Sequence, residues 1–278
     1  MASQTQTHPH PQAANRPPKP PAVPKRSVKI LMLHGYTQSG ALFRAKTRAL
    51  EKMLQKSLAP FHLAPTMIYP TGPNRLRPRD IPGYQPPEDG SVENDDEDTS
   101  DSWAWWRRDD ATGEYRFLKE GMTRLAETIK EAGGVDGVLG FSQGGAASGI
   151  VAAALEEGRQ PPSGEEWSWV KALRAANGHK PLKFAVIYSG FFAPPENLDW
   201  LYGPKIKTPT LHFIGGLDTV VDETRTQALI DRCLEPIALT HPGGHYVPIN
   251  KEWVMPLVSF VKTQAEKNSE EAVAEPKI

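Results

Sequence analysis

The chain of 278 residues has a single cysteine, Cys233. One thiol cannot build a disulfide framework, and this poverty fits a reducing compartment. Long apolar runs are also missing. The first 26 residues hold no hydrophobic stretch of the kind a secretory signal needs, and nothing later reaches the roughly 18 apolar residues of a membrane span. Net charge is nearly absent, at -1, so no global field argues for nucleic acid or an anionic membrane surface. Internal repeats are not seen. These absences leave a soluble, cytoplasmic protein as the expectation, with the nucleus also open, acting on a small neutral or apolar molecule. Oligomeric state cannot be read.

What is present is 38% hydrophobic residues, enough for a substantial core in one α/β domain. Residues 1–26 are rich in Pro, Gln, Thr and His and read as a disordered tail, since they cannot bury enough apolar surface to offset the entropy of ordering. Residues 27–265 read as the domain and 266–278 as a second polar tail. Short apolar runs at 28–33, 63–69, 135–139, 184–188, 210–214 and 236–240 read as strands. Helical periodicity lies between them: after Gly40, over 117–132 (Phe117, Leu118, Met122, Leu125, Ile129), after Gln143, near 167–176, over 222–234 and over 253–261. Strands alternating with helices imply a mostly parallel, doubly wound sheet with helices on both faces.

Residues 71–103 interrupt this rhythm. They begin with Arg75, Arg77 and Arg79, continue into an acidic run from Glu88 to Asp101, and lead to Ser102-Trp103-Ala104-Trp105-Trp106. A connection this long is expected to be a lid-like insertion or a solvated segment. The acidic run is better read as solvated than as a metal site, because like charges without chelating geometry repel. Trp105 and Trp106, with Phe191 after a later strand, are candidates for the apolar wall of a substrate pocket; for the tryptophans, anchoring of the insertion is the competing role.

The chemistry centres on Gly140-Phe141-Ser142-Gln143-Gly144. This GxSxG falls between an apolar strand and a helix rich in small residues, where a nucleophile elbow requires it. A Cβ in place of either glycine is expected to collide with neighbouring backbone. A serine hydroxyl is a weak nucleophile, so it needs a base, and the base needs an acid that fixes its tautomer. His245 follows the last strand and is preceded by Gly243-Gly244, which gives the chain freedom to turn the ring inward. His241 is its rival, while His34, His179 and His212 fit less well. Asp218 follows the fifth strand and is the expected acid. Asp222, four residues on, looks like a helix N-cap. The backbone N–H groups of Gln143 and Tyr36, the latter in the loop after the first strand, are the expected oxyanion donors. Cys233 lies in an apolar-periodic segment and reads as a packed thiol.

With LHGYTQSG, GFSQGG, SGFF, GGLDTVV and HPGGHYVP all in view, the chain resembles, over about residues 28–261, the family of serine hydrolases abbreviated FSH. The resemblance implies an α/β-hydrolase fold, a Ser142-Asp218-His245 triad, no metal or organic cofactor, and esterase or thioesterase activity on small-molecule esters or thioesters, with medium to long acyl chains expected. Acyl-carrier thioesterase, peptidase or amidase, and a catalytically silent binding module are the alternatives.

Overall fold

The computed structural model describes residues 24–81, 84–85 and 101–274. Residues 1–23 of the expected N-terminal tail and most of the acidic run lie outside them. Six strands form one sheet: β1 (Arg26–Leu33), β2 (Leu63–Ile68), and, further along the chain, four strands that follow the insertion. Two short antiparallel ribbons lie between β2 and the next strand of the sheet: β3 (Asn74–Arg75) with β4 (Trp103–Ala104) spans the two ends of the insertion, and β5 (Arg107–Arg108) with β6 (Tyr115–Arg116) follows it. The main sheet then continues with β7 (Gly137–Phe141), β8 (Phe184–Tyr188), β9 (Thr210–Gly215) and β10 (Ile237–His241). Its order is β10-β9-β8-β7-β1-β2, with every pairing parallel.

Alternation along β1 shows why the sheet is covered twice. Val28, Ile30 and Met32 enter one apolar cluster, whereas Leu31 and Leu33 enter the other. A parallel strand buried on both faces reads as an unbroken apolar run for this reason. Helices α1 (Gly40–Leu58) and α6 (Lys251–Ala274) cover the first face. Helices α2 (Leu118–Glu131), α3 (Gln143–Leu155) and α4 (Ser168–Ala176) cover the second, and α5 (Glu223–Ile230) adds Leu229. The fold is that of an α/β hydrolase.

Three departures from the sequence reading have physical causes. Phe117 is exposed, at φ 63° just before α2, with the Arg107 guanidinium 5.9 Å from its ring centre, so it caps the helix entry and does not join the buried face. All thirteen residues of α3 are buried. Its glycines and alanines let it sit between the sheet and the outer helices, so there is no single apolar face. Helix α6 continues to Ala274, past the Glu266 at which a polar tail is expected. Lys262 and Glu266 pair at i,i+4, 3.6 Å apart, and the polar residues that follow include good helix formers. Among the described residues no helix is long and apolar enough to cross a membrane.

Topologically, the chain leaves β1 for β2 on one side and returns to β7 on the other. The switch point therefore lies between the carboxyl ends of β1 and β7. Open α/β sheets bind their ligands in the crevice at such a point, and here the loops carrying His34-Gly35-Tyr36 and Ser142 meet.

Candidate active site

Ser142 sits between β7 and α3 at φ 54°, ψ −117°, a conformation that costs a non-glycine residue strain and that a strand-to-helix elbow imposes. The flanking glycines are steric requirements. A Cβ on Gly144 would overlap the carbonyl of Leu33, and one on Gly140 would overlap the carbonyl of Gly144. The elbow is thus pressed against the end of β1, and the serine hydroxyl stands above the sheet edge.

His245 reaches it from the loop after β10. Its Nε2 lies 3.0 Å from Ser142 Oγ, and its Nδ1 lies 2.7 Å from Asp218 Oδ2. The ring packs on Phe141, 4.7 Å between centres. Asp218 turns its other oxygen, Oδ1, to the backbone N–H groups of Val220 and Val221, each at 2.9 Å. Burial alone would raise the carboxyl pKa. The hydrogen bonds from Val221, His245 and Val220 overcome it and hold Asp218 below the ordinary carboxylate range. An ionised acceptor assigns the imidazole proton to Nδ1, and Nε2 is left to accept from the serine hydroxyl.

The structure separates the rivals. His241 is buried at the end of β10, where Nδ1 accepts from the Gly243 N–H at 3.2 Å and the ring packs against Tyr246 and Trp253. Asp222 caps α5 by accepting from the Thr224 N–H at 2.9 Å. His212 is enclosed within β9, and His179 lies beyond α4 on a polar connection.

The loop after β1 shows an arrangement that local sequence does not signal. His34 is buried; its Nε2 accepts from the Gly72 N–H at 2.9 Å and its Nδ1 donates to the Gly35 carbonyl at 2.8 Å. The Gln38 N–H also donates to that carbonyl, at 3.2 Å. In a trans peptide the C=O and the following N–H point in opposite directions. Fixing the Gly35 oxygen therefore fixes the Tyr36 N–H, which makes no hydrogen bond to another described residue. The Gln143 N–H opens α3 and has no partner within the helix.

The side chain of Gln143 clamps the tryptophan segment to the elbow. Its Oε1 accepts from the Trp105 N–H and its Nε2 donates to the Trp106 carbonyl, both at 2.8 Å. This places the two rings differently. Trp105 is fully buried, packs at a tilt against His34 at 4.7 Å and donates its indole N–H to the His34 carbonyl at 2.9 Å; it is an anchor under the loop, not part of a pocket wall. Trp106 and Phe191 do line a cavity. Asp101, the last residue of the acidic run, accepts from Ser39 and from the Trp103 indole, so that end of the insertion is tied to the start of α1.

Two cavities open onto Ser142. One, of about 630 Å³, is walled by Phe43, Phe141, Val220, His245, Tyr246 and Val247. The other, of about 560 Å³, is walled on its inner side by Gln143, Trp106, Tyr115 and Phe191. Tyr36, Ile81, Ser142 and Val220 line both.

The model of the family described as Serine hydrolase (FSH1) matches residues 24–257. Family of serine hydrolases 2 of Saccharomyces cerevisiae is 30% identical over 236 residues, covering 84% of this chain and 97% of that one. A protein of Schizosaccharomyces pombe named Dihydrofolate reductase is 32% identical over 223 residues, 80% of this chain; the match spans only 44% of that protein's length. Among solved structures, Zea mays acyl-protein thioesterase 2 superposes with a TM-score of 0.51 at 18% identity, covering 87% of this chain and 96% of that one, a likeness of fold alone.

Proposed function

The chain belongs to the serine hydrolase (FSH1) family, and on that premise we propose that it cleaves carboxylic esters or thioesters through an acyl-enzyme on Ser142. The observation that carries this is the continuous path from Asp218 through His245 to the Ser142 oxygen, at 2.7 and 3.0 Å. Ser142 Oγ bonds to the acyl carbon as its proton passes to His245 Nε2. The carbonyl oxygen becomes an oxyanion, held by the Tyr36 and Gln143 N–H groups. Collapse breaks the C–O or C–S bond, and Nε2 returns the proton to the departing oxygen or sulfur. Water then attacks the acyl-enzyme with the same base, and the carboxylic acid leaves. Asp218 keeps the imidazole in the working tautomer and stabilises its cationic form. Medium to long acyl chains are the proposed substrates, their apolar length lying along Trp106 and Phe191.

The test is covalent labelling by a fluorophosphonate. The wild-type protein takes the label and hydrolyses p-nitrophenyl esters, while Ser142→Ala loses both and melts at an unchanged temperature. Labelling that persists in Ser142→Ala overturns the assignment of the nucleophile. A panel of p-nitrophenyl esters of increasing length, beside matched acyl thioesters, fixes chain preference and leaving group. Comparison with anilides separates an esterase from an amidase.

A further inference from the structure

The two cavities beside Ser142 differ in the charged groups that line them, Lys46 in one and several arginines and aspartates in the other, and in their relation to the imidazole. His245 lines the larger one only. Since His245 Nε2 must hand a proton to the departing atom, the leaving group occupies that cavity, and the acyl chain is directed into the other, past Gln143. The rim of this second cavity carries Arg79, Arg108 and Arg225 against Asp80 and Asp110. Asp80 is already taken by Arg107, at 3.0 Å and 2.8 Å through its two oxygens. Asp110 stands 3.9 Å from Arg108 with its carboxylate in open solvent, where such a pair contributes little.

Arg225 makes no ion pair within 4 Å among the described residues, although its charge helps to lower the pKa of the Asp222 carboxyl. Its guanidinium lies over the Phe191 ring, 4.4 Å from the centre. Tyr115 stacks on Trp106 at 4.9 Å and lines the cavity with both arginines. Burial raises its phenol to about 12, and the charges of Arg225 and Arg108 act on it in the opposite sense. Arg108 and Arg225 thus line the same cavity as the aromatic rings of Trp106, Tyr115 and Phe191.

We propose that this second cavity is a subsite for an acyl chain that ends in a carboxylate, so that the substrate is a half-ester or half-thioester of a dicarboxylic acid. The aromatic rings take the methylene chain, and the Arg108 and Arg225 side chains receive the distal carboxylate. The inference rests on the Ser142 acyl-enzyme reading. Hydrolysis of such a substrate consumes one water and yields the dicarboxylic acid and the alcohol or thiol, with no other reactant.

The experiment compares p-nitrophenyl hydrogen suberate with its neutral methyl ester on the full chain. The expected result is a kcat/KM about tenfold higher for the half-ester, expressed mainly in KM and shrinking as salt is raised. Arg225→Gln and Arg108→Gln should each bring the ratio of the two substrates towards one. Because the ratio is taken within each variant, a general loss of activity does not imitate the effect. A second arm uses para-carboxyphenyl octanoate beside its methyl ester, which moves the anion to the leaving group, on the side where Lys46 lies. An arginine-dependent gain in that arm alone overturns the acyl-side assignment. A wild-type ratio at or below one, unchanged in both variants while the neutral ester is still hydrolysed with dependence on Ser142, overturns the subsite and leaves the nucleophile intact. Hydrolysis that survives Ser142→Ala is a failure of the nucleophile itself.

Discussion

The Nε2 atom of His34 accepts a hydrogen bond from the backbone N–H of Gly72, and this contact of 2.9 Å decides which ring nitrogen carries the proton. Nδ1 is then the donor to Gly35, and the peptide that presents the Tyr36 N–H cannot rotate without breaking that bond. His34 is a positioning residue for the proposed oxyanion site. His34→Ala should lower kcat by about 10- to 100-fold with KM little changed, since an aligned oxyanion donor acts in the transition state and its outright loss costs about 10²–10³. A KM rise at constant kcat would show that the loop serves substrate binding instead. Fluorophosphonate labelling of the variant should slow in proportion, as the same donor faces the phosphonyl oxygen.

Asp218→Asn tests the other end of the relay. An amide at this position can present its NH₂ to Nδ1 and so favour the tautomer that carries its proton on Nε2, which cannot accept from serine. The expected loss in kcat is about 10⁴-fold with the fold intact. Asp222→Asn, at the neighbouring helix cap, should leave turnover near wild type because asparagine caps as well as aspartate. Equal losses in the two variants, read from steady-state kinetics, would remove Asp218 from the proton path.

The order and spacing of strands and helices were legible because each buried parallel strand is a short apolar run and each outer helix has its own period. The elbow was legible for a steric reason, as the two glycines and the serine satisfy constraints that lie within five residues. What stayed hidden depends on contacts between distant parts of the chain. Nothing near Trp105 distinguishes it from Trp106; only the clamp by Gln143, 38 residues away, sends one ring under the loop and the other to a cavity. His34 looks like a turn residue until Gly72 is brought against it. Phe117 fits the apolar period of α2, yet the left-handed backbone before the helix turns it outward.

The same blindness applies to Glu156 and Arg159, which lie just past the end of α3. Both are buried and joined through Glu156 Oε2 at 2.7 and 2.9 Å. Glu156 Oε1 also accepts from the Lys207 and Thr208 N–H groups, and Arg159 donates to the carbonyls of Leu201, Pro204 and Lys205. The pair fastens the approach to β9, the strand that leads into the loop carrying Asp218. Glu156→Ala should cost about 3–5 kcal/mol in denaturant unfolding, because it leaves a buried guanidinium without its counter-charge. Replacing both by apolar residues should cost less than the sum of the two single changes. Strict additivity would mean that the two side chains act independently.

Acid should destabilise the fold through two histidines that it keeps neutral. His34 and His212 are buried, and desolvation lowers each from 6.5 to about 4. Between these values the unfolded chain binds a proton on each ring and the folded chain does not. Stability is therefore full above about pH 6.5 and falls as the pH drops towards 4, each ring adding a slope of about 1 kcal/mol per pH unit in that window. His212 lies within β9, outside the proposed relay, and lends itself to a clean test. His212→Leu should flatten the acid limb by that amount, measured by urea unfolding at several pH values between 7.5 and 4.5, with little change in the pH dependence of kcat. Parallel limbs for wild type and variant would show that His212 does not titrate across the unfolding transition.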